Sequence, residues 1–180
     1  MADKKDWQTR KITSGSFEVS SVQLSVDGRR IFYRSNQTHP GVYELSVVDV
    51  RTGQSESLTS LCGMNDFLIS PDEKRAVATH SELNKPPQLF LVELNGERSS
   101  RQLTSFTSKA FRAVNWTVPR IVEIPSRKGR SIYSRLYLPE NPSDKPRPAV
   151  VFVHGAGYLQ NAHQGWSYYF REFMFHSLLN

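Results

Sequence analysis

Residues 25–28 read Ser-Val-Asp-Gly, and residues 70–73, which lie 45 positions further along, read Ser-Pro-Asp-Glu. A second landmark keeps the same spacing, since Leu-Thr-Ser stands at 58–60 and again at 103–105. Ile-Thr-Ser at 12–14 is a related copy, 46 residues before the first of these. Landmarks that hold one period of roughly 20 to 50 residues indicate a repeat architecture.

Each period contains short β-strand patterns separated by turns. The predicted strands lie at 30–33 and 42–49 in the first period, and at 75–79 and 88–94 in the second. A turn is predicted at 84–87, where two prolines stand, and another at Asn95-Gly96. Such a repeat is typical of β-propeller blades, and a closed propeller needs at least about four of them. Residues 1–115 are therefore predicted to be the C-terminal blades of a larger propeller.

The pattern changes near Trp116, where the period stops. A hairpin is predicted from 121–125, a turn at 126–129 and a strand at 132–138. The apolar run Ala-Val-Val-Phe-Val at 149–153 shows no alternation and predicts a strand buried on both faces, as in a parallel sheet. The spacing of aromatic residues predicts an amphipathic helix over 166–179. Residues 116–180 are predicted to be the N-terminal portion of an α/β-hydrolase domain, truncated in this chain.

A glycine-containing turn follows the predicted strand at once. Its residues are the candidates for an oxyanion hole, namely His154, Gly155, Ala156, Gly157 and Tyr158. In α/β-hydrolases a loop at this place supplies part of the oxyanion hole, whose fixed donors face the charge that develops on the tetrahedral oxygen.

The order of these segments resembles the prolyl oligopeptidase family of serine peptidases, in its dipeptidyl peptidase IV-like branch. The blade landmarks lead into Trp116-x-x-Pro119, then Val122-x-Ile124-Pro125-Ser126. Arg135-Leu136-Tyr137-Leu138-Pro139 and the run from Lys145 to Val151 follow. The resemblance covers nearly the whole chain and corresponds to the last blades and the entry into the hydrolase domain.

The resemblance implies proteolysis by a Ser-Asp-His triad on the hydrolase domain, with peptide as substrate and a propeller that restricts access. None of the three triad residues is found in this chain, which is expected to be inactive as given. Where the family places a tyrosine donor to the oxyanion, this sequence has His154, with Tyr158 four residues later. The donor is therefore either a side chain here or the backbone of Gly155 or Ala156.

Ser167 stands in a segment that resembles a nucleophile motif, but the sequence around it indicates that it is not the nucleophile. Gly165-Trp166-Ser167-Tyr168 imitates the start of Gly-x-Ser-x-Gly, but Tyr169 stands where the elbow needs a small residue. Two other functions stay open: an acylaminoacyl peptidase or esterase of the same fold, and a non-catalytic propeller that binds other proteins. A Gly-x-Ser-x-Gly motif downstream of Asn180 would separate hydrolase from binding module.

Composition narrows the class of protein. Lys and Arg exceed Asp and Glu by 23 to 17, but the excess lies in turn-like segments between 112 and 147, which predicts a solvated face and not a nucleic-acid site. Cys62 is the single cysteine, so neither an intrachain disulfide nor a structural metal site is expected, and no cofactor is predicted. No apolar run has membrane-spanning length, and no secretion signal is visible, so the compartment stays open. Open strand edges predict self-association, with homo-oligomers as its form.

Overall fold

The computed structural model describes residues 9–141, 145–155, 157 and 160–168. Two four-stranded antiparallel sheets follow one another along the chain. The first comprises β1 (Val19–Leu24), β2 (Arg30–His39), β3 (Val42–Asp49) and β4 (Ser55–Ser57). The second comprises β5 (Met64–Ile69), β6 (Arg75–Glu82), β7 (Lys85–Glu93) and β8 (Ser100–Gln102). Each sheet is a meander whose strands pair in chain order, as in a propeller blade, so the predicted blades are confirmed.

The Ser-x-Asp landmark forms the same turn in both blades, between the first and second strands. The hydroxyl of Ser25 donates to Asp27 over 2.7 Å, and that of Ser70 donates to Asp72 over 2.6 Å. Each aspartate then accepts a backbone N–H two residues later, at 3.0 Å in the first blade and 3.2 Å in the second. The repeated sequence is thus a repeated hydrogen-bonded turn, which fixes the start of β2 and β6.

These turns make the stability of the chain depend on pH. The serine hydroxyls, followed by the backbone N–H groups, hold the pKa of Asp27 and of Asp72 below the ordinary value of 3.8. A carboxyl whose pKa is lowered in the folded state contributes stability above its unfolded pKa, and this is lost as the pH falls through the folded value. The double variant Ser25→Ala/Ser70→Ala is therefore expected to melt below the wild type at neutral pH.

Between about pH 5 and about pH 3 the difference in melting temperature should shrink, because the protonated carboxyls no longer favour the folded state. Thermal unfolding at several pH values measures this, with Ser99→Ala as the exposed control. A difference that stays constant across that range would contradict the role given to the two aspartates.

The Leu-Thr landmark closes the outer edge of each blade. Leu58 N donates to Leu45 O and Leu45 N donates to the Thr59 hydroxyl, over 2.8 and 2.9 Å. In the second blade Leu103 N donates to Leu89 O, and Leu89 N to the Thr104 hydroxyl, over 2.7 and 2.9 Å. The threonine hydroxyl donates in turn to Glu44 in one blade and to Gln88 in the other. In both blades the Leu-Thr landmark therefore binds the segment after the fourth strand to the third strand.

One turn residue departs from the repeat and links the blades. Gly28 and Glu73 hold the same place in the two turns, and both have positive φ, at 70° and 56°. The Glu73 carboxylate accepts from Val26 N over 2.6 Å and pairs with Arg30 over 2.6 Å. Glu73 thus ties the turn of the second blade to the turn of the first.

The apolar core lies between the two sheets. Its buried members come from both blades: Phe32, Leu45, Val47 and Leu58 from the first, and Ile69, Ala76, Ala78, Val92 and Leu94 from the second. Asn65 is fully buried beside this core and donates to Tyr43 O over 2.7 Å and to Cys62 O over 3.0 Å. Its Oδ1 lies 2.7 Å from His80 Nδ1. Blade packing is therefore both apolar and hydrogen-bonded.

After the second blade come a short helix, α1 (Lys109–Ala113), and a hairpin of β9 (Arg120–Pro125) and β10 (Ser131–Leu136). Ser108 caps the helix by accepting Phe111 N over 3.1 Å. The predicted hairpin is confirmed, with Ser126 O accepting Gly129 N across its turn. Its second strand ends at Leu136 instead of Leu138.

Two local predictions are wrong. The turn predicted at 84–87 lies at Leu83-Asn84, and both prolines belong to β7. They sit beside an irregularity in the pairing between His80 and Glu82, where a strand tolerates residues without an N–H donor. Residues 149–153 form no strand, and Val150, Val151 and Val153 are 70%, 83% and 81% exposed. A parallel strand takes its hydrogen bonds and burial from neighbouring strands, and no described strand pairs with this run.

The helix predicted over 166–179 falls mostly outside the described residues. Residues 166–168, which are described, are not helical.

Candidate functional site

The predicted oxyanion segment lies on the surface of the described structure. His154 and Gly155 are exposed, and His154 Nδ1 lies 2.8 Å from Gly155 O. A Cβ built on Gly155 or on Gly157 would meet nothing within 4 Å. Ala156 and Tyr158 lie outside the described residues. The oxyanion hole therefore stays a prediction.

The segment that follows, residues 160–168, packs closely on the blades. Gln164 N donates to Gly41 O over 2.8 Å, and Trp166 N donates to the Ser81 hydroxyl over 3.3 Å. Gly41 stands in the turn between β2 and β3, and a Cβ there would lie 2.6 Å from Ala162 O. A Cβ on Gly165 would lie 2.3 Å from the Cβ of Met64. Glycine is required at Gly41 because two backbones approach too closely for a side chain, and at Gly165 because the Met64 side chain begins where a Cβ would lie.

Arg135 on β10 fixes the same segment from the hairpin side. Its Nη2 donates to His163 O over 2.6 Å and lies 3.3 Å from Gly165 O. His163 Nδ1 accepts Gly165 N over 3.1 Å, so the imidazole holds its own turn. Both carbonyls are bound by this one nitrogen, which carries two N–H donors. Residues 163–165 are therefore held between the hairpin and the two blades.

Three aromatic rings join α1, the hairpin entry and this segment. Trp116 and Trp166 meet edge to face at 5.4 Å, and Phe111 lies 4.8 Å from Trp116 and 5.5 Å from Trp166. Trp116 Nε1 donates to Phe111 O over 3.0 Å. Trp116 lines two cavities, of about 400 Å³ and 460 Å³. The first lies against β7 and β8 and the second against the ends of β9 and β10.

Tyr43 lies near the Gly41 turn and remains a neutral donor. Burial, followed by the hydrogen bond to Glu18, raises the pKa of Tyr43 to about 12. The hydroxyl donates to Glu18 over 3.0 Å, and the Arg34 guanidinium lies 4.8 Å from the ring centre. Arg34 also pairs with Asp66 on β5. This polar network joins β2 and β3 of the first blade to β5 of the second.

Ser167 does not have the surroundings of a nucleophile. It is 9% exposed and follows Trp166 in an irregular segment, where a nucleophile elbow would connect a strand to a helix.

The remaining histidines lack metal-ligand spacing in the sequence, which predicts packing or surface roles for them. His39 packs edge to face on Tyr133 at 5.5 Å, His80 bonds Asn65, and His163 lies beside Arg135. His176 lies outside the described residues. Among the described ranges no three His, Cys, Asp or Glu side chains converge as metal ligands do.

The sequence pattern does not predict the roles of Gly41, Arg135 and Gly165. In the sequence, Arg135 is one of many basic residues. Nothing near a single glycine indicates which distant residue will lie beside it. The only signal was the close spacing of His163 and Gly165 after the predicted glycine turn.

Comparison with known proteins agrees with the blade geometry. Residues 1–87 match the family described as the dipeptidyl peptidase IV (DPP IV) N-terminal region. The uncharacterized peptidase YuxL of Bacillus subtilis (strain 168) is 25% identical over 111 residues, which are 61% of this chain and 16% of that protein. The chain is thus similar to the N-terminal region of dipeptidyl peptidase IV and to a bacterial peptidase.

The fold of this chain has a solved counterpart. The crystal structure of Porphyromonas gingivalis dipeptidyl peptidase 4 matches with a TM-score of 0.77 at 20% identity, over 96% of this chain and 25% of that one. The chain thus spans a quarter or less of the length of either relative. Within its described residues, no helix combines the length and apolar character needed to cross a bilayer.

Proposed function

We propose that this chain is the blade-to-hydrolase junction of a serine-type peptidase that acts on peptides. The observation that carries the proposal is the pair of four-stranded blades with a 45-residue repeat, in a chain whose residues 1–87 match the dipeptidyl peptidase IV N-terminal region. Residues 1–115 are assigned to the propeller and residues 116–180 to the start of the hydrolase domain. The packing of the hairpin and residues 160–168 on the blades supports that junction.

The reaction is acyl transfer to a serine, with a tetrahedral intermediate on either side of an acyl-enzyme. The part proposed for this chain is donation to the oxyanion from the turn 154–158. Its exposed glycines leave room for a backbone N–H to approach a substrate oxygen. The triad is assigned to residues other than 1–180.

The decisive experiment extends the reading frame beyond the codon for Asn180. A Gly-x-Ser-x-Gly motif followed by Asp and His, together with release of dipeptides from chromogenic peptide substrates by the longer product, would support the proposal. Cleavage of acylated amino acids or esters alone would instead favour an acylaminoacyl peptidase or esterase. A frame without the motif would overturn it.

A binding module without catalysis is the second candidate. Residues 149–155 are exposed and form no strand, which favours it, because a hydrolase strand would be covered. If the protein is a binding module, the longer product should contain no Gly-x-Ser-x-Gly motif and should hydrolyse none of these substrates.

The chain of 180 residues is expected not to react with a serine-directed fluorophosphonate probe. The reason is that Ser167 is buried in an irregular segment, and an oxyanion hole without a triad retains only a small part of catalysis. Gel fluorescence against a heat-denatured sample measures this, with Ser167→Ala as the matched variant. Labelling that is lost in Ser167→Ala would show Ser167 to be a nucleophile.

A further inference from the structure

The cavity of about 400 Å³ lies where the second blade meets the segment that leaves it. Its lining comes from the turn before β7 and the start of β7, from the stretch 102–107, and from α1 and the residues after it. Pro86 and Phe111 give it an apolar wall, and the rings of Phe111 and Trp116 lie 4.8 Å apart. Phe106, which stands between two lining residues in the sequence, is 76% exposed. A cavity of this size with an apolar wall can hold a ligand of a few residues.

Arg112 gives the cavity a positive charge. The lining residues include Lys85 and Arg112 but neither Asp nor Glu. Glu82 lies outside the lining and binds the Lys85 ammonium over 2.8 Å, which balances that charge. Arg112 instead donates through Nη1 to the carbonyl and the hydroxyl of Thr107, and neither of these groups is charged. The guanidinium is thereby held in place, and its other N–H groups can bind an anion.

Two amide side chains add a donor and an acceptor to the lining. Gln88 Oε1 accepts from the Thr104 hydroxyl over 3.0 Å and from Phe106 N over 3.1 Å. Gln102 Nε2 donates to Thr104 O over 2.6 Å. Since a carbonyl oxygen accepts two hydrogen bonds, these contacts leave the Nε2 hydrogens of Gln88 and the Oε1 of Gln102 to a ligand. A donor and an acceptor on the paired strands β7 and β8 match the C=O and N–H groups of a peptide.

We propose that this cavity binds a short peptide that carries a carboxylate beside an apolar residue. The carboxylate binds Arg112, and the apolar side chain packs on Pro86 and Phe111. Gln88 donates to a carbonyl of the peptide, and Gln102 accepts one of its N–H groups. An apolar wall with a few polar groups that fix orientation is the usual composition of a ligand site. The binding needs no hydrolysis, and it holds whether or not the longer protein is a peptidase.

Titration calorimetry of the 180-residue chain tests the proposal with acetyl-Pro-Leu, which ends in a carboxylate, and with its C-terminal amide. The acid should bind about tenfold or more tightly than the amide, because a hydrogen bond between charged groups is lost in the amide. This comparison uses the unaltered chain, so it does not depend on the folding of a variant. Acetyl-Asp-Leu amide carries only a side-chain carboxylate, and its affinity relative to acetyl-Pro-Leu shows which kind of carboxylate the cavity prefers. A chain that binds none of these peptides at millimolar concentration would overturn the proposal.

Arg112→Gln assigns the carboxylate to its partner. The variant should bind acetyl-Pro-Leu about tenfold or more weakly than the wild type but should bind the amide equally well, because the two changes remove the same contact. Arg101→Gln, an exposed position on β8 that does not line the cavity, should leave both affinities unchanged. Equal affinity of the wild type and Arg112→Gln for the acid would contradict the proposed site. Loss of peptide binding would leave the proposed peptidase function standing, and an inactive longer protein would leave this site standing.

Discussion

Gly63→Ala is expected to lower the free energy of unfolding by about 3 kcal/mol or more, through backbone strain and overlap together. Gly63 has φ of 75°, and a Cβ there would lie 2.2 Å from Ser81 O and 3.2 Å from the His80 ring. Both neighbours belong to β6, so the overlap cannot be relieved by turning a surface side chain. Gly63 O also accepts Tyr43 N over 3.2 Å, which prevents the turn from moving away from β3.

Gly96→Ala provides the matched control for this effect. Gly96 has φ of 66°, and a Cβ there would meet nothing within 4 Å. Its substitution should cost only the conformational strain, about 1 kcal/mol. Urea unfolding of the two variants separates strain from overlap. Equal losses at the two positions would mean that β6 yields to the new methyl group, contrary to this expectation.

Asn65→Ala should lower the free energy of unfolding by about 2–4 kcal/mol, because it leaves buried polar groups without their partner. The amide of Asn65 donates to Tyr43 O and Cys62 O, which belong to the first blade and the connection. Since both amide hydrogens are used, Oδ1 faces His80 and the imidazole donates through Nδ1. One side chain therefore satisfies groups from both blades.

Asn65→Asp sharpens the experiment, since a carboxylate keeps the size but cannot donate to two carbonyls. It should lose about as much stability as Asn65→Ala, whereas the exposed Asn95→Ala should stay within about 0.5 kcal/mol of the wild type. Unfolding in urea at neutral pH measures all three. An Asn65→Asp variant as stable as the wild type would refute the donor role of the amide.

The blades could be predicted from sequence because their signals are local. Each Ser-x-Asp turn closes within six residues, as the bond from Ser25 N to Arg30 O shows. Strand patterns on either side are also local, so β2, β3, β6 and β7 were all predicted. Contacts that join the blades could not be predicted, because nothing near Glu73 or Asn65 identifies a partner more than 20 residues away.

The candidate site was harder to predict for the same reason. The run at 149–153 has the composition of a buried strand, but composition does not provide the neighbours that bury it. Arg135 is recognisable only once the chain has folded and His163 lies beside it. The oxyanion turn stays a prediction from its glycines.

The positive φ of Glu73 has a consequence for the evolution of the repeat. Copying either blade over the other would replace Glu73 by glycine, or Gly28 by glutamate, and the junction between the two turns would be rewritten. A residue that pays a conformational penalty to reach its neighbour makes the two copies non-interchangeable. Because the two turns differ at this position, the contact runs only from the turn of the second blade to the turn of the first.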